Sequence, residues 1–194
     1  MKFDWPEGAT PIDADEAQGL IPNIATQGEL NEFEAANIVE GAAWARRSRR
    51  IRSDLLDQDT LRLLHRQMFG EVWKWAGAYR TTEKNIGSPA WQISTNLKNL
   101  EDDVKAWVEH KSYPPDEIAA RFHHRLVLIH PFVNGNGRFA RLATDLLCEQ
   151  QGWTVSSWGS TDLVKQSQTR YDYIQALRAA DAGDYGPLRA FMYS

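Results

Sequence analysis

In the segment HPFVNGNGRFAR, residues 130–141, one histidine, a glycine-rich turn and two arginines follow one another closely enough to act on a single ligand. Asn134-Gly135-Asn136-Gly137 is a turn by composition, because Gly and Asn tolerate positive φ at little cost. Immediately after it, Phe139, Leu142, Ala143, Leu146 and Leu147 recur at helical spacing. A loop that feeds a helix amino terminus points unpaired N–H groups outward at the positive end of the helix dipole, which is what phosphate oxygens need. Arg138 and Arg141 lie on one face away from the apolar stripe, where they could clamp two phosphates. The same pattern also fits a tight connection between two helices, with a solvated Arg141–Asp145 pair. His130 is open to two readings as well: a helix-end cap or, beside a phosphate site, an imidazole serving as general base near neutral pH. His123 and His124 adjoin each other nearby, but no HExxH spacing and no second cysteine accompanies them, so they read as helix histidines and not as metal ligands.

Two helices must hold this segment. Upstream, Pro115 suits the first turn of a helix in which Ile118, Phe122, Leu126 and Ile129 follow at core-facing spacing. Pro131 disfavours helical geometry in the residue before it, so that helix ends near His130. Leu61, Leu64 and Met68 predict a helix over 57–68, capped by Asp57 or Asp59, and Leu97, Leu100, Val104 and Trp107 predict another over 97–110. Leu30, Phe33, Asn37, Glu40 and Trp44 predict one from about 29 to 52 that no proline interrupts. Helical periodicity stops in WKWAGAYRTTEKNIGSPAWQIST, where Gly87-Ser88-Pro89 separates two β-compatible stretches, and a hairpin or flap is expected there. Residues 1–28, rich in Gly, Pro and acids with apolar anchors at Phe3, Trp5, Ile12, Leu20 and Ile21, read as an extended arm on the domain surface. The expected division is an arm over 1–28, an amino-terminal helix over 29–56 and a mainly α core domain over 57–194.

With 194 residues, 42% apolar and 25% charged, the chain suits one soluble packed domain and is too hydrophobic for disorder. A formal charge of -4 argues against nonspecific nucleic-acid binding, and Arg46, Arg47, Arg49, Arg50 and Arg52 read as a solvated helix end favoured by the macrodipole. Cys148 is the only cysteine and sits in LATDLLC, so a buried thiol without a disulfide, in a reducing cytoplasm, is expected. No segment approaches the ~18 apolar residues of a membrane span, and the amino terminus lacks the basic start and apolar stretch of an export signal.

The whole string HPFVNGNGRFAR resembles the motif of the Fic family: His-Pro-Phe, two variable residues, Gly-Asn-Gly-Arg and, after two further residues, a second Arg. WAGAYRTTEKNIG resembles the segment leading into the family's target-docking flap, and RYDYIQALRAADAGDYGPLRAF resembles its closing helices. DWPEGATPIDADEAQGLIP and LNEFEAANIVEGAAWA are similar to the subgroup called mobile mystery protein B. The resemblance implies a Fic-type helical bundle with a short β-hairpin flap beside the active-site loop. It also implies an enzyme that transfers AMP from ATP to a Ser, Thr or Tyr hydroxyl of a target protein. In that reading His130 is the base, Phe132 anchors the loop in the core, and Gly135, Asn136 and Gly137 form the anion hole. Arg138 and Arg141 contact the outer phosphates and neutralise charge on the leaving pyrophosphate, with Arg138 counted as catalytic. Lys84, Asn85 and Ile86 would dock an extended target segment by strand addition. Glu40 and Gly41 match an inhibitory helix whose glutamate pairs with the second motif arginine, here Arg141, although Ala36 stands where that helix carries Ser or Thr. The subgroup also implies a co-encoded helix-turn-helix partner.

One position departs from the family pattern. Asn134 stands where most AMP-transferring members carry the Asp or Glu that binds magnesium, and a neutral amide holds a hard cation more weakly. The expectation is therefore ATP as substrate, Mg2+ weakly held and no metal-ligating residue of the usual kind. The competing expectation is a catalytically weak, nucleotide-binding regulatory or toxin-like module, against which the intact His130 speaks.

Overall fold

The computed structural model describes residues 10–160 and 167–194; Phe3 and Trp5 of the arm lie outside them. In chain order the helices are α1 (Ala14–Ala17), α2 (Gln27–Arg47), α3 (Arg49–Ser53), α4 (Gln58–Phe69), α5 (Ile93–His110), α6 (Pro115–Ile129), α7 (Asn136–Gln151), α8 (Gln168–Asp181) and α9 (Gly186–Met192). The stripe of Ile118, Phe122, Leu126 and Ile129 on α6 is buried, and so is that of Phe139, Leu142, Ala143, Leu146 and Leu147 on α7. These two helices pack on each other, with α5 against α6, α4 against α7 and α9 on the far side of α6. The glycine turn between α6 and α7 is thereby held from both ends by core packing.

Helix α2 starts where its sequence says it should. Thr26 Oγ1 accepts from Glu29 N–H at 3.2 Å while the Glu29 carboxylate accepts from Thr26 N–H at 3.0 Å, a reciprocal cap. Its inward face differs from the expected one: Leu30, Glu34, Asn37, Gly41 and Ala45 are buried, whereas Phe33 and Glu40 are exposed. The reason is what α2 meets. Asn37 donates to the Gln67 carbonyl and accepts from Glu71 N–H, tying α2 to the end of α4. Gly41 lies so close to α4 that a Cβ there would stand 2.6 Å from the Gln67 carbonyl oxygen. Nor does α2 run to residue 52, because Ser48 leaves helical geometry and caps α3 by accepting from Ile51 N–H. In the arginine cluster that follows, Arg46 pairs with Glu149 and Arg50 with Asp57, so both serve the fold.

The segment before α5 is not a hairpin: among the described residues it forms isolated bridges, Leu20 with Trp73 and Tyr79 with Phe132, and no strand. Arg80 supplies the cause. Its buried guanidinium donates to the carbonyls of Thr82 and Ser88 and to that of His130, so the chain from 80 to 88 curls around one side chain instead of pairing with itself. The arm is not wholly extended either. It contains α1, buries Ile12 and Ile24, and lies against the 72–74 stretch through Ile21 N–H to Val72 O and Lys74 N–H to Gly19 O.

Candidate active site

His130 is the carboxy-terminal cap of α6 and takes the left-handed conformation, φ 54 and ψ 59, which few non-glycine residues adopt. Pro131 forbids another helical turn, and the strained geometry is held by Arg80 Nε, which donates to the His130 carbonyl at 2.7 Å. The ring is buried, with Nδ1 3.4 Å from the Val127 carbonyl and Nε2 2.8 Å from Thr10 Oγ1. A carbonyl can only accept, so Nδ1 carries the proton and Nε2 offers its lone pair to the Thr10 hydroxyl. Burial pushes the imidazole down to about 4, so it is neutral near pH 7; the nearby Arg80 and Lys84 charges act in the same direction.

The loop keeps its shape by internal bonds. Asn136 accepts from Phe132 N–H and donates to Phe132 C=O, both at 2.9 Å, so its buried side chain staples the loop from within and leaves only its backbone for a ligand. Phe132 is buried, stacked on His65 at 3.8 Å and edge-on to Phe139. Gly135 has φ 79, and a Cβ there would meet the Phe69 ring at 2.6 Å, so neither backbone nor space admits a side chain. Gly137 opens outward, with nothing nearer than 3.9 Å to its would-be Cβ. The N–H groups of Asn136, Gly137 and Arg138 stand in the first turn of α7, where no intrahelical carbonyl is available to them.

Asn134 folds back on the loop instead of projecting outward. Its Oδ1 accepts from Gly135 N–H at 2.7 Å and faces Arg138 Nη2 at 3.4 Å, while Nδ2 donates to the Thr10 carbonyl at 2.9 Å. The one amide oxygen at this position is thus engaged within the loop, and no group of three or more His, Cys, Asp or Glu that could hold a metal ion occurs among the described residues.

The two arginines differ. Arg138 forms a 2.6 Å ion pair with Glu34 of α2, whose other oxygen accepts from Trp73 Nε1 at 2.7 Å. Arg141 lies over the Tyr173 ring, and no ion pair links it to Glu40 or Asp145 among the described residues. Glu40 is exposed; Asp145 instead accepts from Trp158 Nε1, and burial pushes its carboxyl up to about 6. The acid that reaches the motif is thus Glu34, six residues before Glu40, and it meets the first arginine.

The proposed docking residues separate as well. Ile86 is exposed, but the Lys84 ammonium is buried under the arm, where it pairs with Glu16 at 2.6 Å and Asp13 at 3.0 Å and donates to the Pro11 carbonyl. Asn85 lies beside them in sequence and is exposed. His123 and His124 have ordinary tertiary partners, Tyr173 OH and Asp181.

Sequence reasoning missed Arg80 and His65. Fully buried His65 donates from Nε2 to the Asn134 carbonyl and accepts Gly77 N–H at Nδ1, each at 3.0 Å, which ties the loop to the 77–80 stretch. Burial pushes it down to about 3, so this single neutral tautomer persists. A signal was present: position 65 falls on the apolar face of Leu61, Leu64 and Met68, where a polar ring must find partners. Gly87, at φ 112, packs so closely that a Cβ would lie 2.7 Å from His130 Cβ.

Two helices joined by an internally stapled glycine turn, with a neutral histidine at its mouth, define a helical domain that places an imidazole beside an anion-favouring loop. Residues 55–148 match the model of the Fic/DOC family, and this segment is a Fic/DOC domain. The chain is 29% identical over 145 residues to "Protein adenylyltransferase Fic" of Nematostella vectensis, covering 73% of this chain and 32% of that protein. It superposes on Fic-1 (aa134 - 508) from C. elegans with a TM-score of 0.63 at 28% identity, covering 91% of this chain and 51% of that one. BepC, a VirB-translocated effector from Bartonella tribocorum solved with bound AMPPNP, shares the fold at a TM-score of 0.67 and 20% identity, over 93% of this chain and 96% of that one. The chain spans about a third of the curated Nematostella relative's length.

Proposed function

We propose that this chain transfers AMP from ATP to a Ser, Thr or Tyr hydroxyl of a target protein, with His130 as base. One observation carries the reading: the unprotonated Nε2 of His130 faces a hydroxyl oxygen at 2.8 Å, at the mouth of the turn between α6 and α7. A neutral imidazole in that position takes the hydroxyl proton as the oxygen attacks the α-phosphorus. The first-turn N–H groups of α7 would receive phosphate oxygens, and Arg138 and Arg141 would neutralise the departing pyrophosphate. Bound phosphates would also raise the proton affinity of His130 from its buried value, because a nearby anion favours the imidazolium. No step is assigned to a protein-held metal. The adenylyltransferase names of the relatives and the nucleotide found in BepC support the choice of donor.

Target docking belongs to the same proposal. The exposed rim at Asn85 and Ile86 would pair with an extended target segment beside the Tyr79–Phe132 bridge. The mobile mystery protein B subgroup and its helix-turn-helix partner rest on the sequence resemblance, and a cytoplasmic location rests on the cysteine usage. A buried single cysteine, its thiol pushed up to about 12 by burial, suits that location; no helix of the described residues is long and apolar enough to cross a membrane.

A second reading, a nucleotide-binding module of low activity, is favoured by Glu34 on Arg138 and by the Asn134 amide on Gly135 N–H, since both occupy groups a nucleotide would use. The test is mass spectrometry of lysate proteins incubated with this protein and isotopically labelled ATP. Adenylylated hydroxyl residues that vanish with the His130→Ala variant support transfer. Nucleotide binding without any labelled protein supports the module instead.

A further inference from the structure

The arm treats the site as a target protein would. Thr10 comes from 120 positions away in sequence, yet its hydroxyl is buried against His130 Nε2. Its backbone is fixed on the other side, where the Thr10 carbonyl accepts from Asn134 Nδ2 at 2.9 Å. Further along, Lys84 holds Asp13, Glu16 and the Pro11 carbonyl, and Thr82 Oγ1 donates to the other Glu16 oxygen at 3.1 Å. Two independent sets of bonds, one at the motif loop and one at the curled 80–88 segment, therefore converge on residues 10–16 and place one hydroxyl on the base. A hydroxyl merely filling a core position would need only one partner and no clamp on the residues that follow it.

We propose that Thr10 is this chain's own acceptor, adenylylated in cis, and that residues 10–16 compete with target proteins for the site. This rests on the AMP-transfer reading above. In the step, the Thr10 Oγ1 proton passes to His130 Nε2 while Oγ1 forms a bond to the α-phosphorus of ATP. The bond from that phosphorus to the oxygen bridging to the β-phosphate breaks, and pyrophosphate leaves with its electron pair. Threonine is left as a phosphodiester of adenosine. Tethering makes the reaction unimolecular, so it needs no encounter between proteins.

The experiment incubates the full chain with ATP and magnesium and maps the AMP increment by peptide mass spectrometry, in parallel with labelling of lysate proteins. The expected result is AMP on Thr10, lost in Thr10→Ala, retained in Thr10→Ser and unchanged in rate per molecule on dilution. Labelling of lysate proteins by Thr10→Ala should rise, as it should in Lys84→Ala, where the clamp on the arm is removed. AMP confined to other residues, or lysate proteins labelled while Thr10 stays unmodified, overturns the inference and leaves the transferase reading standing. A labelling rate that falls in proportion to dilution overturns the cis route. No AMP on any protein removes both.

Discussion

The motif loop and the arm that lies over it are held in different ways. The loop is fastened by burial: Phe132, His65 and Phe139 stack beneath it, and Asn136 closes it with two bonds that never meet solvent. The arm buries Ile12 and Ile24 as well, but residues 10–16 are tied to the site itself by charge and by single polar contacts. Lys84 is buried, but Asp13, one of its two acids, has a side chain 60% exposed, where salt and water compete for it. The Lys84–Asp13 contact should therefore feel salt more than the loop's buried bonds do. The contrast also separates what should respond to pH, salt and nucleotide from what should not.

The largest effect is expected at the point where the two regions touch. His130→Ala should abolish AMP transfer while leaving ATP affinity within about tenfold, because removing a base acts on the chemical step. Single-turnover transfer alongside calorimetric binding measures both, and a variant as active as the parent would remove His130 from the mechanism.

Acid should find the loop before the arm. His65, His123 and His130 are held by burial at about 3, about 3 and about 4. Each lies below the unfolded value of ~6.5, so the unfolded chain binds more protons and stability rises with pH. Their contribution is complete above that value and is lost as pH falls towards 4 and below. His130 alone corresponds to roughly 3 kcal/mol over that window. Urea unfolding at pH 7 and pH 4.5 should show a marked fall; equal midpoints would mean that these rings are charged in the folded protein.

Smaller effects concern the groups that occupy the nucleotide's places. Glu34→Gln keeps an acceptor for Trp73 but removes the carboxylate charge that pairs with Arg138, and ATP affinity should rise about tenfold, ~1.4 kcal/mol. Glu40→Gly should leave affinity unchanged, since Glu40 is exposed and pairs with neither arginine among the described residues. If Glu40→Gly raised affinity and Glu34→Gln did not, the regulatory carboxylate would have been misassigned. Smallest is Asn134→Asp. It supplies a carboxylate for magnesium and deletes the donor to the Thr10 carbonyl, so magnesium-dependent ATP binding should tighten a few-fold and the arm should loosen. Calorimetry with and without magnesium measures the first effect, and proteolysis near residue 10 the second.

The same contrast explains what could be read in advance. Helices α6 and α7 were legible because their partners are apolar and recur every three or four residues, and the break at His130 followed from Pro131. The inward face of α2 was legible only at Leu30 and Asn37, because Glu34 and Gly41 look like a solvent face until Trp73, Arg138 and the Gln67 carbonyl are brought to them. The absence of strands there was not legible because β-compatible residues say nothing about one arginine that captures carbonyls across the segment from 80 to 88. Thr10 was invisible for a simpler reason: no local pattern records a contact between a threonine and a histidine 120 positions apart.

Gly87 carries a consequence for how such a protein could acquire new recognition. Since a side chain at this position would collide with His130 and with Arg80, the inner edge of the 80–88 segment packs directly against His130. The neighbouring Asn85 and Ile86 face outward. On the docking proposal, recognition and alignment would be divided between adjacent residues of a single turn. The outer rim can be exchanged to suit a different target, as a handle is changed on a tool, while the inner edge keeps the imidazole where the chemistry requires it.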